Sequence, residues 1–122
     1  MEKKSILIAD DDPITLRILE KILTDKGYVV TKASNGKEAL RSAKTQFLDL
    51  IILDIDMPLL DGTQVQEHLK ENSITKNIPI IFLTGMLLKK EEACLGKQVG
   101  QSFLMAKPID AEVLLEEIKK RI

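Results

Sequence analysis

The chain has one cysteine, Cys94, and no tryptophan. A single thiol cannot close an internal disulfide or build a multi-thiolate zinc site, so a reduced, cytoplasmic setting is expected. No apolar run is long enough to cross a bilayer. Residues 1–12, MEKKSILIADDD, offer only a short apolar stretch before three acids, which is too little for a signal peptide. There is no Gly/Ser linker, low-complexity tract or internal repeat. Charge of one sign is also missing: 18 basic against 19 acidic residues leave a net charge of -1. That balance gives no footprint for direct binding of nucleic acid or an anionic membrane. At 122 residues the chain is expected to be a single domain, 1–122, with one core.

What the chain does have is an apolar run at 50–53 that stops abruptly at Asp54, followed by Asp56, Met57, Pro58 and the turn pair Asp61-Gly62. Such a run predicts a buried strand that delivers a carboxylate to a loop. Similar short runs at 5–9, 28–31, 78–83 and 102–106 predict four further strands. Between them lie helical patterns. Asp12-Pro13 opens the first as N-cap and first helical residue, with Ile14, Ile18, Leu19, Ile22 and Leu23 on its inner face and Gly27 as its stop. Asn35-Gly36 reads as a turn before a short helix containing Ala39, Leu40 and Ala43. Val65 and Leu69 mark a narrow stripe on the third helix, and a fourth is expected over 87–99 despite Gly96. Asp110 caps the last, which turns Val113, Leu114, Ile118 and Ile122 inward. Five strand-helix alternations imply an α/β fold: a flavodoxin-like, doubly wound (βα)5 with a five-stranded parallel sheet of order 2-1-3-4-5.

In that order the carboxyl ends of strands one, three, four and five are neighbours. Asp10 and Asp11, Asp54, Thr84 and Lys107 can therefore meet in one cleft. Carboxylates about 5 Å apart repel by roughly 3 kcal/mol at an effective dielectric near 20. Either one acid keeps its proton or a divalent cation binds, and an all-oxygen set suits Mg²⁺. Lys107 offsets part of the charge. Asp54 then becomes a candidate nucleophile for a phosphoryl group, with Thr84 and Lys107 on the phosphoryl oxygens. Duller readings suffice elsewhere: Asp12 as a cap, His68 as surface decoration, Phe103 and Met105 as core.

ILIADDD at 6–12, LIILDIDMPLLDG at 50–62, IPIIFLTG at 78–85 and AKPID at 106–110 together closely resemble the receiver domain of two-component response regulators, and the likeness runs through essentially the whole chain. The resemblance implies a chemotaxis-type phospho-acceptor switch rather than an enzyme that turns over substrate. Asp54 would be phosphorylated by a histidine kinase or phosphotransfer protein and would slowly dephosphorylate itself. It also implies Mg²⁺ held by Asp10, Asp11, Asp54 and the backbone carbonyl of Asp56. Thr84 and Lys107 would contact the phosphoryl group beside Gly85, the Lys107-Pro108 bond would be cis, and a downstream target would dock on the fourth and fifth strand-helix units. Three departures concern signalling: Leu104 stands at the switch position where the family commonly has an aromatic, Gly85 replaces the usual alanine, and the stretch from Thr84 to Lys107 is one residue longer than is typical. Two rivals remain at this point, a haloacid dehalogenase-type phosphatase and a receiver-like module that binds partners without being phosphorylated.

Overall fold

The computed structural model describes residues 3–85, 98–99 and 102–122. Each of the four inner strands is apolar on both faces, and successive side chains supply two different cores. From β1 (Ser5–Ala9), β3 (Leu50–Asp54), β4 (Ile80–Thr84) and β6 (Ser102–Ala106), the residues Leu7, Ala9, Ile51, Leu53, Ile80, Phe82 and Leu104 pack on one side. There they meet Ala39 and Ala43 of α2 (Gly36–Thr45) and Val65 and Leu69 of α3 (Gly62–Glu71). The alternate residues Ile6, Ile8, Leu50, Ile52, Ile81, Leu83, Phe103 and Met105 face the other side. They pack on Leu16, Leu19 and Leu23 of α1 (Pro13–Asp25) and on Leu114 and Ile118 of α4 (Ala111–Arg121). Ile52 is completely shielded at the centre of the second core. Ile52→Ala is expected to cost about 2–5 kcal/mol, read as a lower urea midpoint at unchanged slope.

The edge strand β2 (Val29–Ala33) pairs with β1, β1 with β3, β3 with β4 and β4 with β6, all parallel. The five expected strands thus lie in the order 2-1-3-4-5. A sixth strand, β5 (Gln98–Val99), adds an antiparallel edge against β6. It corrects the helix expected to run to residue 99, and the rest of that expectation, 87–97, lies outside the described residues. A two-residue edge strand carries no periodicity by which a sequence could announce it.

The helix ends follow the expected chemistry. The Asp12 side chain accepts from the Ile14 N–H, with Pro13 opening α1. Gly27, at φ +88°, ends it in a Schellman arrangement: Tyr28 N–H donates to Leu23 O and Gly27 N–H to Thr24 O. Other expectations need correcting. Asn35-Gly36 is a helix start rather than a free turn, because Asn35 accepts from the Glu38 N–H. Strand two runs to Ala33, and strand four begins at Ile80, after Pro79. Ile14 and Ile18 are 64% and 48% exposed, while Leu16 takes the inward place. Leu16, Leu19 and Leu23 already fill the row facing the sheet, and residues four apart from Ile14 run along the flank. Val113 is exposed for the same reason, one residue around the helix from Leu114.

Candidate functional site

The registers that build the sheet also bring its polar ends level. Ala9 lies opposite Leu53, Asp54 opposite Leu83, and Thr84 opposite Ala106, so the residues that end or follow these strands share one rim. Among the described residues, one carboxylate oxygen from each of Asp10, Asp11 and Asp54 lies within 4.8 Å of the others. Asp10 and Asp54 are buried, at 0% and 3% exposure, whereas Asp11 is open to solvent.

Local backbone donors fix how each acid is presented. Asp10 Oδ1 accepts the Asp12 N–H at 2.9 Å, and Asp54 Oδ1 accepts the Asp56 N–H at 3.3 Å. Lys107 follows β6, and its N–H donates to Thr84 O at 2.9 Å. Its Nζ lies 2.8 Å from Asp10 Oδ2 and 3.4 Å from Asp54 Oδ2. The lysine therefore bridges two acids from different strands, more tightly to Asp10 than sequence alone indicated. The Lys107-Pro108 bond is cis.

These acids do not balance their own charge. Burial first, and the neighbouring Asp10 carboxylate second, push the Asp54 carboxyl up to about 6, against the opposing pull of Lys107 and the Asp56 N–H. Burial drags the Lys107 ammonium down, but Asp10, and after it Asp54, more than reverse this, so it stays firmly charged. Asp10 Oδ2 has no exposed surface and receives no well-angled hydrogen bond, even with Lys107 Nζ close by. Three carboxylates, two of them buried, gathered about one lysine make an all-oxygen cluster that fits a hard divalent cation.

Other expected site residues fall as follows. Thr84 is buried at the end of β4, with Gly85 next to it. A methyl on Gly85 would lie 3.7 Å from Lys107 Cδ, an ordinary contact, so the usual alanine would fit. The Asp56 side chain is exposed, which leaves its backbone as its route into the site. Leu104 is buried beside Phe82, whereas Phe103 lies in the opposite core with the Arg121 guanidinium 4.9 Å from its ring centre. His68 lies exposed in the last turn of α3.

Sequence reasoning missed what holds the 55–61 loop. The Asp61 side chain accepts from Gln64 N–H and the Gln64 side chain from Asp61 N–H, a capping box that starts α3. Gly62 N–H donates to Ile55 O at 2.9 Å, and a Cβ on Gly62 would come within 2.6 Å of Asp54 O. Asp61-Gly62 was legible as a turn, but the backbone that Gly62 must approach was not.

A cluster of this kind at the carboxyl edge of a 2-1-3-4-5 sheet has a known counterpart. The family model of the response regulator receiver domain matches residues 6–119. The chain is a response regulator receiver domain. The polar-differentiation response regulator DivK of Brucella anthropi is 31% identical over 116 residues, which cover 95% of this chain and 94% of that protein. A probable transcriptional regulator, ycf27 of Pyropia yezoensis, is 37% identical over 121 residues, but the match covers only 47% of its length. Chemotaxis protein CheY4 of Vibrio cholerae superposes with a TM-score of 0.86 at 30% identity, covering 99% of this chain and all of that one. The receiver of a Pseudomonas aeruginosa sensor histidine kinase gives 0.85 at 29% identity over 98% of each chain, and its structure holds a magnesium ion in the active-site cleft. Receivers are signalling switches of two-component systems, not classical enzymes. Among the described residues no helix is long and apolar enough to cross a membrane.

Proposed function

We propose that this receiver takes a phosphoryl group on Asp54 from a histidine kinase or phosphotransfer protein and acts as a cytoplasmic phosphorelay component. The observation that carries the reading is a buried carboxylate at the end of β3, flanked by Asp10 and Asp11 and reached by Lys107. In the transfer an Asp54 oxygen bonds to phosphorus as the bond from phosphorus to the donor's imidazole nitrogen breaks, and the imidazole leaves with the electron pair and takes up a proton. Lys107 and Thr84 accompany the phosphoryl oxygens. Asp10, Asp11, Asp54 and the Asp56 carbonyl would hold Mg²⁺, which supplies charge neutralisation of the phosphoryl oxygens. The phosphorylated Asp54 carries roughly two negative charges, which draw Thr84 and Lys107 toward it. This biases the fourth and fifth strand-helix units, including Leu104, toward the state that binds the downstream protein. Water later cleaves the acyl phosphate slowly, so the domain works as a timer.

The test is to incubate the protein with a small phosphodonor and Mg²⁺ and weigh it intact. A gain of one phosphoryl group lasting minutes supports the switch. Continuous phosphate release supports a phosphatase, and no change supports a silent interaction module.

The donor must bring its imidazole to Asp54, so it has to cover the surface bordering the cleft. Ile14 and Ile18 stand exposed on α1 just beyond Asp12, with Ile22 continuing the row. They suit an apolar surface on the donor. Ile18→Asp is expected to slow transfer from the phosphorylated partner about tenfold or more, while phosphorylation by the small donor keeps its rate. Equal slowing with both donors would remove α1 from the interface.

A further inference from the structure

We infer that Gly36, the first residue of α2 and packed against Leu60 of the 55–61 loop, is a positioning residue for the metal site. The inference rests on the reading of Asp10, Asp11, Asp54 and the Asp56 carbonyl as the Mg²⁺ ligands. The loop leaves β3 at Asp54 and returns at Gly62, and its two ends are tied by the Gly62 N–H to Ile55 O bond. Inside this closed ring Leu59 holds φ +72°, a conformation that costs a leucine about 1 kcal/mol or more and persists only where neighbours over-determine it. Leu60 N–H donates to Pro58 O at 2.9 Å, tightening the same limb.

The neighbour that presses on that limb is the first residue of α2. A Cβ placed on Gly36 would fall on the Leu60 carbonyl oxygen, 2.5 Å from Leu60 Cβ and 2.7 Å from its carbonyl carbon. No side chain other than hydrogen fits there, and the obstacle is largely backbone, which cannot rotate aside as a side chain can. The start of α2 is thus a backstop for the outer limb of the loop. Because the ring is closed and short, displacing Leu60 must be taken up by the peptides between Asp54 and Leu60, the segment that contains Asp56. Asn35 capping and the packing of Ala39 and Ala43 hold the backstop itself in place.

The test compares Gly36→Ala and Leu60→Gly with the wild type and with Ala43→Gly. The last weakens the same helix without touching the loop. Leu60→Gly removes the Leu60 Cβ, one of the three atoms facing Gly36, and frees the backbone of that limb without adding an atom, so it loosens the loop even if Gly36→Ala fails to fold. Calorimetric titration with Mg²⁺ is expected to give about tenfold weaker binding for both loop-contact variants. In the metal-free proteins, amide exchange at Gly62 is expected to quicken in those two. Ala43→Gly lowers the denaturation midpoint and leaves both readouts at wild-type values. Wild-type Mg²⁺ affinity and Gly62 exchange in the loop variants would overturn the inference, as would an equal loss in Ala43→Gly. Were the wild type itself to bind no Mg²⁺, the metal reading would fall, and Gly62 exchange would still decide whether Gly36 holds the loop.

Discussion

Asp54→Asn is expected to abolish the one-phosphoryl mass gain that the wild type shows with a small phosphodonor and Mg²⁺. The amide at position 54 keeps the shape of the side chain and its place beside Lys107 but has no anionic oxygen to form a bond to phosphorus. Asp10 and Asp11 are not substitutes. Asp10 Oδ1 is occupied by the Asp12 N–H and its Oδ2 lies against Lys107, while Asp11 is exposed to solvent. Asp10→Asn should therefore still be phosphorylated at Asp54, but at least about 100-fold more slowly and with little response to Mg²⁺, because a ligand charge is gone while the nucleophile remains. The pair of variants separates the two roles. Full phosphorylation of Asp54→Asn, mapped by peptide mass to another residue, would remove Asp54 from its proposed place.

The second large effect concerns stability against pH without metal. The Asp54 carboxyl ordinarily titrates near 3.8 and is pushed to about 6 in the fold. The groups facing it are Asp10 and Asp11 after β1, Lys107 after β6 and the N–H of Asp56 in its own loop. Because the folded state holds this proton more tightly than the unfolded chain, the contribution of Asp54 to stability is most favourable below the unfolded value. It declines as pH rises from about 4 through 6 and is level beyond. The decline is of the order of 2–3 kcal/mol for a group buried this far. Asp54→Asn removes the ionisation while Lys107 keeps Asp10. The variant is thus expected to match the wild type near pH 4 and to exceed its urea midpoint at pH 7.5. Adding Mg²⁺ at pH 7.5 to about 100 times its dissociation constant should return about 2.7 kcal/mol to the wild type and much less to the variant. A wild type that gains stability between pH 4 and 6 relative to Asp54→Asn would contradict the burial argument.

The strands and their order were readable because a parallel sheet covered on both faces needs uninterrupted apolar runs, and 6–9, 50–53 and 80–83 are such runs. The acids were readable because they stop those runs. Their convergence was not local to any motif. It needed the sheet order, and then Asp10, Asp54, Thr84 and Lys107 fell on one rim. What stayed hidden depends on partners remote in sequence. The isoleucines of α1 repeat with helical spacing as well as its leucines do, and only the position of the sheet shows that Ile14 and Ile18 face outward. Gly36 looked like half of a turn because its reason for lacking a side chain is Leu60, twenty-odd residues further on. The preference of Lys107 for Asp10 over Asp54 is a matter of 2.8 Å against 3.4 Å, a difference no spacing of residues encodes.

The most direct measurement is a crystal of the wild type grown with Mn²⁺ in place of Mg²⁺ and examined by anomalous scattering. One peak is expected among Asp10, Asp11, Asp54 and the Asp56 carbonyl, with Lys107 Nζ drawn away from Asp10. A peak elsewhere, or none, with Lys107 still against Asp10, would contradict the claim that these carboxylates are gathered to hold a metal for phosphoryl transfer.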